Sequence, residues 1–588
     1  MSKELPAAGM GTTRQHAYER IRAALLAEIR EHGCVRGELS SSALSTAVAA
    51  FALHMGQAAD REPRIGRAVA WLVANVNADG GWGDTVRSPS NLSTTLLVRS
   101  ALGGLGVAAS QPVLVGADAW IEEVAGSMGP ASIVEAVLRH YGNDRTFSIP
   151  ILTMCALGGL LGPPEKAWRR VPQLPFELAA CPHGMYRFLG LPVVSYALPA
   201  LISMGLVRHR LGRGGGLLRP LRSALVSRVL RKLVSLQPEN GGFLEASPLT
   251  GFVTLSLSAC GLQEHVVVRR ALGFLEAGQR DDGSWAIDTD LATWLTTLTV
   301  KGLGDDLPEE LRPGVRQWLL DQQFRVRHPF THSPAGGWGW TDLPGSVPDA
   351  DDTAGALLAL RQLGPIDESV RTAGEAGIRW LLGLTNRNGG TPTFCRGWGK
   401  LPFDESSPDL TIHALQAYAA WRGDLPPALQ RRVDRAIERG LCYLADAQHA
   451  DGSWLPLWFG NDAVDGHENP VYGTARVVVG LRQLEIQGGQ LPPGMLAAGV
   501  WYLSDQMNPD GGWGGARGVA STVEETSLAV AALVDQPEAS QQIEAGRQWL
   551  TATLDQPVPA APIGLYFASL WYFEKMYPAI FSLAALRT

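Results

Sequence analysis

Residues 443–454 read Tyr443-Leu444-Ala445-Asp446-Ala447-Gln448-His449-Ala450-Asp451-Gly452-Ser453-Trp454. An aromatic-Leu pair is followed, eight residues on, by an Asp-Gly turn that an aromatic closes. The arrangement recurs at the same spacing. Trp71-Leu72 precedes Asp79, Phe274-Leu275 precedes Asp282, Trp380-Leu381 precedes Asn388, and Tyr502-Leu503 precedes Asp510. Lys232-Leu233 before Asn240 is a degenerate copy. Most copies end in Gly-Gly or Gly-Ser plus an aromatic (Trp82, Phe243, Trp285, Trp454, Trp513), and several carry a Gln before the turn (Gln237, Gln279, Gln448, Gln506).

Between copies lie Ala/Leu/Val-rich stretches at helical spacing, such as Ser527-Leu528-Ala529-Val530-Ala531-Ala532-Leu533. Each unit therefore reads as helix, turn, connector, helix. No such hairpin buries its apolar face alone, so units must stack. Rings of hairpins close into α-α barrels, and the sequence predicts an all-α chain with two of them. The repeat tryptophans are expected to brace helix ends, with the Gln side chains tying neighbouring repeats together.

Outside the repeats, Pro348-Asp349-Ala350-Asp351-Asp352-Thr353-Ala354 packs three carboxylates into four residues, just after Gly336-Gly337-Trp338-Gly339-Trp340. Mutual repulsion and burial both raise a carboxyl pKa, so one member can stay protonated near neutral pH. A neutral carboxyl beside aromatic faces can protonate a carbon–carbon double bond and shelter the resulting cation. The same stretch is also a helix start, with acids in the first turn complementing the dipole, and that reading lowers the pKa values instead.

The 588 residues suffice for two or more domains, and the net charge of −7 is spread along the chain, which gives no reason to expect a nucleic-acid partner. Six scattered cysteines without a CxxC pair fit reduced thiols in a cytosolic protein. Residues 1–33 carry charges throughout and lack a signal-peptide core. Paired Cys residues are absent, so a zinc prenyltransferase is not expected, and no metal or cofactor is assigned.

The Gln…Asp-Gly-Gly/Ser-Trp repeats together with the Pro-Asp-Ala-Asp-Asp-Thr-Ala segment resemble the squalene–hopene cyclase family of class II terpene cyclases. The likeness runs from Gly37-Glu38-Leu39-Ser40 to Lys575-Met576-Tyr577-Pro578. It implies two α-α barrels, one inserted into the other, with a large apolar cavity between them. On this reading residues 35–288 form the inserted first barrel. Residues 1–34, a segment with a helix, pack on the second, catalytic barrel, 289–588.

The resemblance also assigns residues. Asp351 aligns with the proton donor, with Asp349 and Asp352 as partners. Ser407-Pro408-Asp409-Leu410-Thr411-Ile412-His413 resembles the segment whose histidine bonds the acid cluster, so His413 is the expected partner. Asp409, four residues earlier, could orient it on one helix face. Trp338, Trp340, Phe394, Trp458, Tyr186, Tyr566 and Trp294 are the aromatic candidates for cation stabilisation and substrate binding, each worth roughly 0.5–2 kcal/mol.

Departures from the family fall at informative places. Phe394 stands where hopene-forming members have a Tyr by the acid. Leu570 and Phe573 replace tyrosines, and Pro562 replaces a phenylalanine. In Gly241-Gly242-Phe243-Leu244-Glu245-Ala246-Ser247-Pro248 the Gln that positions a terminating water is missing, with Ser247 there and Glu245 close by. The expected function is protonation of a terminal double bond of squalene or a squalene derivative, then cationic polycyclisation to a product other than simple hopene. One alternative is a class II cyclase of a prenyl diphosphate, although the first barrel offers no clear acidic metal motif. Another is a non-catalytic isoprenoid-binding protein.

Residues 189–207 are almost wholly apolar but interrupted by Pro192 and Pro199, and residues 208–232 carry eight Arg/Lys and no acid. Leu218, Leu221, Leu225 and Val229 share a face, the pattern of a basic amphipathic helix on an anionic membrane. The resemblance agrees, implying a monotopic protein on the cytoplasmic face, docked through segment 189–232, and it leaves room for a homodimer.

Overall fold

The computed structural model describes residues 8–107, 111–142, 145–182, 194–212, 217–566 and 570–587, and their regular structure is almost entirely helical. Two rings of inner helices organise the chain. In the first, Ala43–Met55 packs on Leu92–Leu105, which leads through Arg145–Leu157, Val194–Leu211 and Ser247–Ala259 back to Ala43–Met55. In the second, Ala292–Leu303, Ala350–Gln362, Pro408–Trp421, Pro470–Ile486, Val523–Leu533 and Tyr577–Leu586 close in the same way. The N-terminal helix Ala8–His32 packs on Tyr577–Leu586 and Ser540–Thr553 of the second ring. The chain enters and leaves the first ring side by side, where Ser41–Ser42 pairs antiparallel with Trp285–Ala286. The first ring is thus an insertion.

Inner and outer helices differ as their sequences demand. Ala43–Met55 is buried almost all round, whereas the outer helix Pro427–Asp446 buries only Leu429, Val433, Ala436, Gly440, Leu441 and Leu444. That single stripe recurs at helical period, and most of the remaining helix is polar.

The repeat signature is a set of turn and strut contacts. Trp82, Trp285, Trp454 and Trp513 each donate Nε1–H to the carbonyl of the Leu ten residues earlier, at 2.7–2.9 Å. Gln237, Gln279 and Gln448 donate to carbonyls of the adjacent outer helix or its lead-in, at Val267, Arg64 and Met495 (2.9–3.1 Å). The turn Asp accepts a backbone N–H two residues on, as Asp451 does from Ser453 at 3.0 Å. The glycine between them must be glycine. Gly452 has φ +94°, and a Cβ there would lie 2.4 Å from the Ala498 carbonyl oxygen.

One further copy was hidden in the sequence because Ala335 takes the place of the turn Asp. Gln323 donates to Ala373 at 2.9 Å, and Trp338 donates Nε1–H to Leu319 at 2.7 Å. Trp338 also donates its backbone N–H to Thr353 Oγ1 at 3.0 Å, as Trp454 does to Thr474. Trp338 is therefore a repeat brace, fully buried, and not the cation-facing residue expected of it.

The apolar stretch in 189–207 also has a structural cause. Its described part is the inner helix Val194–Leu211, with Leu198, Ile202, Met204, Leu206 and Val207 buried in the first ring. Among the described residues no helix is long and apolar enough to cross a membrane. Along Arg219–Leu236 the expected stripe changes character: Leu218 and Leu221 are exposed beside Leu217, while Val229 is core.

Replacing Gly452 by Ala should lower stability by roughly 1–3 kcal/mol, from left-handed backbone strain and the clash with Ala498. A lower thermal midpoint by circular dichroism, unmatched by Ala at the unobstructed Gly383, is the expected result.

Candidate active site

The acid helix Ala350–Gln362 begins at Asp349, whose carboxylate accepts the Asp352 N–H at 2.8 Å. The backbone is pinned on both sides, by Asp349 N–H to Trp338 O and Ala350 N–H to Thr393 O, both 2.9 Å. This fixes three carboxyls at the rim of one cavity. Three other inner helices then supply the rest. Asp351 Oδ1 is hydrogen-bonded to His413 Nδ1 on Pro408–Trp421. Arg476 on Pro470–Ile486 brings Nη2 to 4.0 Å from the same oxygen, and Lys301 on Ala292–Leu303 adds a second positive charge. Asp409, on the helix of His413, accepts from Ser407 Oγ.

The electrostatics split the motif. Burial pushes Asp351 up, but the charge of and hydrogen bond to His413, with the charges of Arg476 and Lys301, outweigh it and hold the carboxyl below its ordinary 3.8. Burial raises Asp349 to about 7, with repulsion from Asp351 adding. Burial, then the neighbouring Asp349, holds Asp352 well above the ordinary range. Asp349 Oδ2 and Asp352 Oδ1 are buried with no hydrogen-bond partner, which disfavours the charged form of each. Burial lowers His413 to about 4 and Lys301 to about 7, and raises Asp409 to about 6.

The three carboxyls open into an apolar cavity of about 110 Å³ walled by Trp294, Trp340, Phe394, Trp458, Phe459, Tyr566 and Tyr572, with Leu291, Thr393 and Leu565. A second apolar compartment, about 80 Å³, lies between the two rings and shares Tyr566 with the first. Both are smaller than the roughly 300 Å³ at which ligand pockets commonly begin, so a long substrate must displace side chains to enter. The aromatic faces are held by their own contacts. Trp458 donates to Thr393 Oγ1 at 2.8 Å, Trp294 to Tyr577 at 3.1 Å, and Phe394 meets Trp340 edge-on at 6.4 Å.

Of the expected residues, the structure therefore gathers Asp349, Asp351, Asp352, His413, Trp294, Trp340, Phe394, Trp458 and Tyr566. Tyr186 lies outside the described residues. Glu245 is at neither cavity wall: its carboxylate accepts from Gly345 N at 2.6 Å, Asn240 Nδ2 at 2.7 Å and Thr289 Oγ1 at 3.2 Å, so it clamps two loops together. Sequence reading missed Phe459, Tyr572, Lys301 and Arg476. The last two had a signal, since each is a lone cation inside an otherwise apolar helical run, Val300-Lys301-Gly302-Leu303 and Ala475-Arg476-Val477-Val478.

Comparison with known proteins agrees with this architecture. Residues 18–197 match the squalene-hopene cyclase N-terminal domain and residues 288–557 the squalene-hopene cyclase C-terminal domain. Enfumafungin synthase of Hormonema carpetanum is 27% identical over 580 residues, covering 85% of this chain, but the chain spans only 42% of that relative's length. A copalyl diphosphate synthase of Streptomyces cyslabdanicus is 26% identical, covering 87% of this chain and 85% of that protein. Among solved structures, ent-copalyl diphosphate synthase from Streptomyces platensis superposes with a TM-score of 0.55 over 97% of this chain and 99% of its own, at 18% identity, a likeness of fold. Two α-α barrels, an Asp-x-Asp-Asp motif bonded to a histidine and both domain matches lead to one conclusion: the chain belongs to the squalene–hopene cyclase family.

Proposed function

We propose that this chain is a class II terpene cyclase that protonates a terminal double bond of squalene or a squalene derivative. The observation that carries the reading is the contact of Asp351 with His413 at the rim of a buried, aromatic-walled cavity. Asp351 acts as the donor. Protonating an alkene demands a strong acid, and the charges that hold Asp351 low make its neutral form one, because they stabilise the anion left behind. The raised pair Asp349/Asp352 retains a proton near neutrality and can reload Asp351 after each turnover. The faces of Trp294, Trp340, Phe394 and Trp458 then stabilise the cation.

Two relatives carry copalyl diphosphate synthase in their names, which raises a prenyl diphosphate as a second substrate class. A diphosphate calls for Arg or Lys forks. Among the described residues, neither compartment has a Lys or Arg in its wall, which favours the hydrocarbon. Delivery of such a substrate suits a membrane surface. Leu217, Leu218 and Leu221, exposed beside Arg219, Arg228 and Arg231, are the docking edge we propose on the first ring.

Incubation with squalene, a hydroxylated squalene and geranylgeranyl diphosphate, with products read by mass spectrometry, tests the reading. Asp351→Asn should cut turnover of the accepted substrate by at least about 10³-fold with an unchanged thermal midpoint. Near-normal turnover in that variant would refute the donor assignment. The pH profile follows from the shifts. Asp351 is held low, so its protonated fraction grows as pH falls, and Asp349 loses its proton as pH rises through about 7. Turnover should therefore decline between pH 6 and pH 8 in wild-type enzyme.

A further inference from the structure

Arg476 is a buried cation that ties no loops together. Its side chain is 11% exposed, and among the described residues its guanidinium donates no hydrogen bond. Arg482, further along the same helix, shows the ordinary alternative, donating to the Ala532 carbonyl at 3.0 Å and to Asp535 at 2.8 Å. Arg476 instead meets two groups of the acid site. Nη2 lies 4.0 Å from Asp351 Oδ1, and Cζ sits 5.8 Å from the centre of the Trp294 ring. A guanidinium keeps its charge at any working pH. His413 is the closer partner of Asp351, but burial lowers it to about 4, so near neutrality its imidazole serves mainly through its hydrogen bond. Arg476 is then the permanent positive charge beside the acid.

That charge matters most just after the first step. Once Asp351 has given up its proton, a new carbocation lies beside a carboxylate, and the nearest base is the anion of the acid itself. Proton return would undo the step. A C–H bond next to the cationic carbon breaks, its electron pair restores a C=C bond, and the proton goes back to the Asp351 carboxylate. A fixed cation 4.0 Å away makes that carboxylate a poorer base. It also engages the π system of Trp294, which leaves that ring less attractive to a carbocation than the other indoles and Phe394 in the wall. Both effects move positive charge away from the acid.

We propose that Arg476 is the positioning residue that makes the first protonation effectively irreversible, by holding the Asp351 anion so that the carbocation cyclises rather than giving its proton back. This rests on the cyclase reading above and goes beyond it. Acid strength governs how fast cations form, whereas this contact governs what fraction of them goes forward. Lys301, whose charge also bears on Asp351, acts in the same sense while it is protonated.

The test runs the full chain in heavy water with whichever substrate it converts in the assay above, and follows deuterium by mass spectrometry and NMR. Asp351 then reloads with deuterium, so each proton return leaves label in the recovered alkene. Wild-type enzyme should label the product and leave recovered substrate unlabelled. Arg476→Gln, checked for folding by circular dichroism, should raise label in recovered substrate per product formed at least about ten-fold, because breaking a buried charge pair is a large perturbation. Arg476→Lys, which keeps the charge, should bring that ratio back toward the wild-type value. A merely structural role would slow consumption without labelling the substrate, and an unchanged ratio in Arg476→Gln overturns the proposal. Labelled substrate recovered from the wild-type enzyme overturns it as well, while leaving the cyclase reading intact. Should Arg476→Gln fail to fold, Lys301→Met replaces it: the ratio should rise at least about three-fold, and no rise overturns the proposal. If the wild-type enzyme converts none of the substrates, the cyclase reading itself fails and this inference falls with it.

Discussion

The hydrogen bond between Asp351 and His413 spans two neighbouring helices of the second ring, and it is meaningful only because the ring closes. Each charged partner of the acid arrives on a different inner helix, so the cluster exists only once those helices are side by side. Burial then decides the energetics. Near a protein surface two charges 4 Å apart interact by about 4 kcal/mol, and by about 1 kcal/mol in bulk water. Arg476, at 4.0 Å from Asp351, gains its influence from that exclusion of solvent. Opening the ring would return all of these groups to ordinary behaviour.

The first ring contributes a wall and a clamp. The turn Phe243–Glu245 holds Leu244 and Glu245 at φ +55° and +54°, a left-handed conformation that costs non-glycine residues roughly 1–3 kcal/mol each. The Glu245 carboxylate offsets this by binding Gly345 N–H, Asn240 and Thr289 together. Gly345 lies in the loop leading into the acid helix, so the inserted ring is tied to the approach of the acid. A Cβ at Gly345 would meet Glu245 Oε1 at 2.5 Å, which is why that loop can come so close. The missing Gln of this segment thus has a structural counterpart in a carboxylate that serves as a tie.

The repeats were legible because their residues answer local demands: a left-handed glycine, an Asx turn, an indole reaching back ten residues. The acid motif was legible as two readings, and the molecule combines them. Asp349 caps the helix as a turn residue should, while Asp351 and Asp352 point to the cavity. Trp338 was misread because its copy of the repeat lacks the Asp. Lys301, Arg476 and Tyr572 could not be grouped from sequence. They lie far apart along the chain, and only ring closure makes them neighbours.

A cation survives only where no nucleophile can reach it, and several polar atoms around this chamber are already occupied. Thr393 Oγ1 accepts the Trp458 indole, Tyr196 is turned onto the Phe394 carbonyl, and Tyr572 faces Tyr577. Phe394, where a hydroxyl would have been closest to the acid, offers only its ring, packed against Tyr196 at 5.2 Å and Phe403 at 6.0 Å.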